Sequence, residues 1–319
     1  MNPLERLEDD RLTIFLFHGV IRGGTWRVRN YTHKHLPREM FAAVLRGLTA
    51  AGSPMSMEQA LWHVTNHEPF PPRSFAITFD DGFENNLSVA APILADFQCP
   101  ATFYLTTDFI ERNAMSWIDR LEACFERAAT VRVRLPWLDE PVHAHAPAER
   151  IGLLEAIRTH VKQTRDIDRD AFVADVCAQC GVVEQTSGDG PLDKKLSWAQ
   201  VRRLAADRLF TIGGHTHTHA TLSFLDDDAL ASELDASLRL LGERGGVAPR
   251  HYSYPEGLTG DFDDRVIAAL KSRGIRCCPT AIDGTNACDA DPFRLHRVTI
   301  APPHAYARPY QPALIGSMR

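Results

Sequence analysis

Phe75-Ala76-Ile77-Thr78-Phe79-Asp80-Asp81-Gly82 decides how this chain is read. The first five residues are uncharged and rich in aromatic and β-branched side chains, the pattern of a short buried strand. Two aspartates follow side by side, and Gly82 accepts the backbone of a tight turn. A carboxylate at the end of a buried strand is costly unless it is paired, hydrogen-bonded or bound to a metal. Successive strand residues face opposite ways, so both carboxylates reach one cleft only where the strand ends and turns. The pair therefore asks for a cation, with further ligands from elsewhere in the chain.

Gly213-Gly214-His215-Thr216-His217-Thr218-His219 offers those ligands. His215 and His219 are four residues apart, which places them on one face of a helical turn. The apolar run Leu209-Phe210-Thr211-Ile212 precedes them, so they too lie just past a strand. Alone, the His-x-x-x-His spacing reads equally as a polar loop. With the aspartates it gives two imidazoles and a carboxylate, a familiar catalytic zinc set that leaves one position open for water.

The rest of the composition narrows the class. At 319 residues with 44% hydrophobic content, the chain can build one large core or two small ones. A net charge of −6 without a long basic run argues against a nucleic-acid partner. The polar, acidic start from Met1 to Arg11 has no signal-peptide pattern, and the run Leu12–Phe17 is too short to span a membrane. Seven scattered cysteines fit reduced thiols, and the expected location is cytoplasmic. Cys177-Ala-Gln-Cys180 has metal-ligand spacing but no second pair, so a packing role is expected. Cys277-Cys278 reads as core.

Short apolar runs recur at 12–17, 75–79, 101–105, 209–213, 251–254, 275–281 and 295–300. Amphipathic segments separate several of them. Glu39–Ala51 puts Phe41, Val44, Leu45 and Leu48 on one face. Asp228–Arg244 does so with Leu230, Leu234, Leu238 and Leu241, and Asp263–Arg273 ends at Gly274. Alternating strands and helices predict an α/β fold with a parallel sheet. His18, the aspartates, the histidines and the Pro255-Glu256-Gly257 turn each follow the C-terminal end of a different run. Such convergence favours a distorted barrel of about seven strands over an open sheet. Residues 112–195 carry helical patterns without convincing strands, and read as a helical insertion between the third and fourth strands of a single 1–319 domain. Insertions at that face usually shape access to the site. Trp117 and Trp137 within it are expected to pack in a core rather than stack on sugar.

Thr78-Phe79-Asp80-Asp81-Gly82 and His215–His219, in that order, resemble the first two motifs of the polysaccharide deacetylases, the NodB-homology group. Phe17-His18-Gly19-Val20, Tyr252-Ser-Tyr-Pro-Glu-Gly257 and Phe293-Arg-Leu-His-Arg-Val298 support the resemblance. It implies a distorted (β/α)₇ barrel, a divalent metal, usually Zn²⁺, and removal of N-acetyl groups from sugars. It also implies Asp80 as general base, with Asp81, His215 and His219 as metal ligands. His217 falls at a variable position and is left out as a ligand. The resemblance implies an oxyanion donor at Glu256 in the turn, with Tyr254 beside it as a substrate contact. The family's third-motif arginine is missing where Ser253-Tyr254-Pro255-Glu256 stands. Arg297 is the expected replacement, ahead of Arg250. His18 is expected to be the catalytic acid, ahead of His296. His33, His35, His143, His145 and His304 have surface roles by default.

The expected partner is an N-acylated sugar, nucleotide-linked, lipid-linked or part of an oligosaccharide, in the building of a bacterial O-antigen or capsule. Two rivals remain open from sequence: a metal-dependent amidase on a non-sugar amide, and an inactive glycan-binding barrel.

Overall fold

The computed structural model describes residues 2–300. In chain order these form β1 (Thr13–Phe17), β2 (Gly19–Ile21), β3 (His35–Pro37), α1 (Arg38–Ala51), β4 (Ser53–Pro54), α2 (Met57–Asn66), β5 (Ser74–Phe79), α3 (Ala91–Asp96), β6 (Ala101–Leu105) and α4 (Thr107–Arg112). The chain continues through α5 (Trp117–Arg127), β7 (Val131–Val133), β8 (Val142–Ala144), α6 (Pro147–Gln163), α7 (Arg169–Gln179), α8 (Trp198–Ala205), β9 (Phe210–Gly214), α9 (Asp227–Glu243), α10 (Asp264–Ser272) and β10 (Val298–Thr299). They divide into two compact units. One takes in the chain to Gly23, His35–Ala114 and Asp189–Ile300; the other holds Gly24–Lys34 and Met115–Gly188.

The first unit is an α/β fold on a parallel sheet of order β10-β1-β5-β6-β9, with β4 added beside β5. Alternation along the strands sorts its two faces. Phe15, Phe17, Phe75, Ile77, Phe79, Phe103 and Phe210 all enter one core with Phe41, Leu45 and Leu48 of α1. The rings of Phe17 and Phe79 lie 5.4 Å apart, Phe79 and Phe103 5.1 Å, and Phe103 and Phe210 5.5 Å. Truncating one such buried ring to Ala typically costs about 3–5 kcal/mol. The intervening positions Ala76, Thr78, Thr102 and Tyr104 face the other way and are also buried. Covering both faces is what a parallel sheet requires, and it explains the near-continuous apolar runs.

Two expected strands shrink to single contacts. Residues 251–254 meet β9 through the isolated bridge Gly214↔Tyr252, and residues 275–281 meet residues 251–254 through the bridge His251↔Cys277. Pro255 follows the first run and Pro279 interrupts the second, and neither has the N–H that would extend a ladder. The helices follow their apolar stripes. Asp226 and Asp263 cap α9 and α10, their carboxylates accepting from Ala229 N and Val266 N at 2.8 and 2.9 Å.

In the second unit, α5, α6 and α7 pack around Leu121, Phe125, Leu154, Ile157 and Val173. The expectation of a strandless segment is corrected by β7 and β8, which pair antiparallel from Val131↔Ala144 to Val133↔Val142. Three residues per strand are too few to show alternation in sequence. Residues Gly24–Lys34 join this unit through a row of carboxylates on α5 spaced for one helical face. Glu126 accepts the N–H groups of Arg27, Val28 and Arg29 at 3.1, 2.6 and 3.1 Å. Glu122 accepts that of Asn30 at 2.8 Å, and Asp119 binds Lys34 Nζ at 2.7 Å. Trp117 is buried, and Trp137 stacks on His160 at 3.9 Å, so both serve packing within this unit. Among the described residues no helix is long and apolar enough to cross a membrane.

Candidate active site

The strand β5 delivers the two aspartates differently. Asp80 keeps the alternation of Ala76 and Thr78, and its N–H still bonds Phe17 O at 3.0 Å, so its carboxylate stays on the inner face. Asp81 then takes φ 75° and Gly82 φ 81°. A left-handed backbone is uncommon for a non-glycine residue and is sustained by its surroundings. Here Leu196 N bonds Gly82 O at 3.0 Å and Glu84 N bonds Lys194 O at 2.8 Å, clamping the turn from a neighbouring segment.

The histidines follow β9 in a loop, not in the helical turn expected from their spacing. His215 N bonds Leu105 O at 2.9 Å, extending the ladder to the first ligand. Thr216 and His219 then take φ 67° and 63°, which no helix accommodates. Side-chain bonds hold the loop: His219 N to Thr216 Oγ1 at 3.0 Å, Thr216 N to the Tyr252 hydroxyl oxygen at 2.9 Å, and Thr218 N to Glu233 Oε1 at 2.6 Å. These local bonds compete successfully with helical ones.

The result brings Asp81, His215 and His219 together, with one ligand atom from each within 4.8 Å of the others. Asp81 Oδ1 lies 3.4 Å from His219 Nε2 and 3.7 Å from His215 Nε2. His215 Nδ1 lies 2.9 Å from Ser253 O, a bond it can only donate to, which leaves the Nε2 lone pair facing Asp81. Burial holds the imidazole below its ordinary pKa, in the neutral form a metal needs. Two imidazoles and one carboxylate at these separations fit a divalent ion such as Zn²⁺.

Asp80 stands beside this group with its own partner. Arg297 Nη1 and Nη2 bond its two oxygens at 2.9 and 2.8 Å, while Arg297 Nε bonds Thr280 O at 2.5 Å. Ser253 Oγ adds a contact to Asp80 Oδ1 at 3.4 Å. Burial works to raise the Asp80 pKa, but Arg297, then His215 and His18, outweigh it and hold the carboxyl below the usual range. His18 is thus close enough to act on Asp80 electrostatically; it is half-buried at the end of β1, and its carbonyl accepts from Asn86 Nδ2 at 2.8 Å. His296 points away, as alternation next to Arg297 requires. A Cβ on Gly284 would meet the His296 Nδ1 at 2.4 Å, so its ring packs on that loop. Arg250 faces Glu58 at 3.5 Å, not Asp80.

Other expected residues divide. Glu256 occupies the turn after residues 251–254 with φ 60°. Tyr254 is not brought to the site: its ring stacks on Phe262 at 4.1 Å and its hydroxyl donates to Phe293 O at 3.0 Å in a separate core cluster. His217 hydrogen-bonds Thr107 Oγ1 at 2.9 Å. His35 is corrected from a surface role to the interior, 2% exposed and 3.1 Å from Asn85 Nδ2. His304 lies outside the described residues.

Sequence reasoning missed Ser253, whose carbonyl and hydroxyl both reach His215 Nδ1, at 2.9 and 2.7 Å. It also missed Lys195 and Phe109. The buried Lys195 ammonium lies 3.8 Å from the centre of the Phe83 ring and 5.4 Å from that of Phe109, and Phe109 stacks on His219 at 5.9 Å. The position of Ser253 two residues before Pro255, at the end of an apolar run, was the available signal for the first. Nothing local marks the other two.

Comparison with known proteins agrees with this geometry. The polysaccharide deacetylase family model matches residues 67–278. No curated protein sequence gives a significant match. Among solved structures, a Streptococcus pyogenes deacetylase, PplD, in complex with acetate aligns with TM-score 0.58 at 14% identity, covering 92% of this chain and 94% of that one. IcaB from Ammonifex degensii gives 0.56 at 16%, covering 94% and 96%. The deacetylase domain of BpsB from Bordetella bronchiseptica gives 0.55 at 17%, covering 92% and 97%. At these identities the structures speak for the fold, while the family match spans most of the chain and both motifs. A clamped aspartate turn and a histidine loop meeting at the ends of parallel strands, inside that match, identify the chain as a member of the polysaccharide deacetylase family.

Proposed function

We propose that this chain is a metal-dependent sugar N-deacetylase, removing an acetyl or similar short acyl group from nitrogen during assembly of a bacterial surface polysaccharide such as an O-antigen or capsule. One observation carries the reading. Asp81, His215 and His219 converge as a ligand set while Asp80, one residue away, is taken up by Arg297. Neighbouring aspartates with different partners suit different tasks.

An amide is a poor electrophile with a poor leaving group. Its hydrolysis needs an activated water, a partner for the charge that develops on the carbonyl oxygen, and a proton for the departing nitrogen. When bound by Asp81, His215 and His219, a divalent metal, Zn²⁺ in this reading, polarises the carbonyl and lowers the pKa of its water to about 7. Asp80 accepts the proton of the attacking water, and the Arg297 fork keeps it ionised and aimed. The backbone N–H of Glu256 is our donor for the developing oxyanion. His18 gives its proton to the leaving amine. General acid–base groups of this kind contribute about 10²–10⁴-fold each.

Release of acetate or formate from a panel of N-acylated nucleotide sugars, oligosaccharides and simple amides tests the reading. Release from sugars, dependent on added metal, is expected. Turnover confined to simple amides, or undiminished by a chelator, would overturn it.

A further inference from the structure

His215 and His219 are held in different ways. His215 sits at the end of β9, its N–H on Leu105 O at 2.9 Å and its Nδ1 on Ser253 O at 2.9 Å. His219 comes four residues later, with Thr216 at φ 67° between them and its own φ at 63°. Non-glycine residues keep such a backbone only where the surroundings over-determine it. The first half of the loop has backbone anchors from α4. Thr107 N bonds Thr216 O at 3.2 Å, and Asp108 N bonds His217 O at 2.9 Å. Thr218, directly before His219, meets a side chain instead.

That side chain is Glu233, in the middle of α9. Its Oε1 accepts from Thr218 N at 2.6 Å, and the Thr218 hydroxyl is shared between Oε1 and Oε2 at 3.1 Å each. The residue is only 8% exposed, and among the described residues no Lys, Arg or His forms an ion pair with it. A carboxylate taken out of water is costly without compensation, and here the hydrogen bonds that compensate it converge on Thr218. The helix is itself fixed. Leu230 and Leu234, on the same face as Glu233, are buried in one cluster with Tyr252, Val266 and Leu270. Tyr252 of that cluster accepts from Thr216 N at 2.9 Å. Glu233 thus reaches the loop from a rigid element, which is what precise placement of a ligand requires.

We infer that Glu233 is a positioning residue for the metal site. It acts through Thr218 and holds His219 where its Nε2 lies 3.4 Å from Asp81 Oδ1. The inference rests on the ligand set of the function proposed above. Without Glu233, His215 keeps its place on β9, while His219 loses the hold on its side of the loop. The property that matters is the reach of the side chain to Thr218 N, not its charge.

The test is the Zn²⁺ dissociation constant of the full chain, measured by competition with a chromophoric chelator, with far-UV circular dichroism checking that each variant is folded. Glu233→Ala should raise the Kd about 10–100-fold, as loss of an outer partner of a metal ligand does. Glu233→Asp keeps the charge but is one methylene short of Thr218, and should weaken binding in the same way. Glu233→Gln keeps an acceptor at full reach and should bind far closer to wild type than to Glu233→Ala. If Glu233→Ala does not fold, the Asp and Gln variants decide. In Co²⁺-loaded Glu233→Ala the visible d–d bands should move toward those of His219→Ala, because the same imidazole is displaced. A merely structural residue would lower the unfolding temperature of the metal-free chain and leave the Kd of the folded chain alone. The inference is overturned if Glu233→Ala and Glu233→Asp bind Zn²⁺ as wild type does, or if Glu233→Gln is as weak as Glu233→Ala. Wild type that binds no Zn²⁺, or His219→Ala that binds it undiminished, would overturn the ligand set itself and this inference with it.

Discussion

Arg297 and Asp80 form a two-pronged pair, Nη1 to Oδ1 at 2.9 Å and Nη2 to Oδ2 at 2.8 Å, with the arginine side chain fully shielded from solvent. The pair joins β10, next to β1 in the sheet, to the end of β5 on the far side of β1. In the function proposed above, it takes the role left open by the arginine missing from the Ser253-Tyr254-Pro255-Glu256 turn.

Replacing that arginine should therefore damage activity without removing metal ligands. Lysine keeps the charge but not the fork. Arg297→Lys is expected to lower kcat by about 10²-fold, the lower end of what a misaimed general base costs. Arg297→Met leaves Asp80 as a lone buried charge and should destabilise the fold by about 3–5 kcal/mol. Arg297→Met combined with Asp80→Asn should recover much of that loss in a denaturant titration. Equal destabilisation of the double and single variants would mean that the pair is not what fixes Arg297.

His18 and His296 are separated by a pH–rate profile. If His18 supplies the proton, His18→Ala should lose the alkaline limb of the kcat profile, with kcat down by about 10²–10⁴-fold and metal content unchanged. His296→Ala should keep that limb, since its ring lies on the Gly284 loop. The reverse pattern would move the acid to His296.

The second unit carries its own pH dependence. Burial first, then the neighbouring Asp119 charge, raise the Glu122 carboxyl from 4.5 to about 7. The folded chain thus keeps a proton that the unfolded chain releases across that range. This contribution to stability is fully present below about pH 4.5 and is lost as the pH rises through about 7. At about 1.36 kcal/mol per unit, the loss is at most about 3 kcal/mol. Glu122→Gln keeps an oxygen for the Asn30 N–H and should flatten the fall in unfolding free energy between about pH 5 and about pH 8. An unchanged fall would place the titrating group elsewhere.

The sequence was most readable where one physical constraint acted alone. The β5 run, its aspartates and the stripes of α1, α9 and α10 follow from alternation and helical spacing, and the structure keeps them. Arg297 was reachable because alternation forces it and His296 to opposite sides. The histidine loop was misread as helical because a four-residue spacing says nothing about the side-chain bonds of Thr216 and Thr218 that hold another backbone. Tyr254 was misplaced because its apolar ring outweighed its hydroxyl and turned inward onto Phe262. Lys195 and Phe109 reach the His219 surroundings through tertiary packing, for which a single sequence holds no local sign.

The unequal division of the aspartates is the centre of the account, and metal content measured with acetate release on the same samples tests it directly. Wild type should hold about one metal ion per chain and be active, as the three-ligand set implies. Asp80→Asn should keep the metal and lose activity by at least about 10²-fold. Asp81→Ala should lose metal and activity together. Asp80→Asn without metal alongside a fully loaded Asp81→Ala would contradict the assignment.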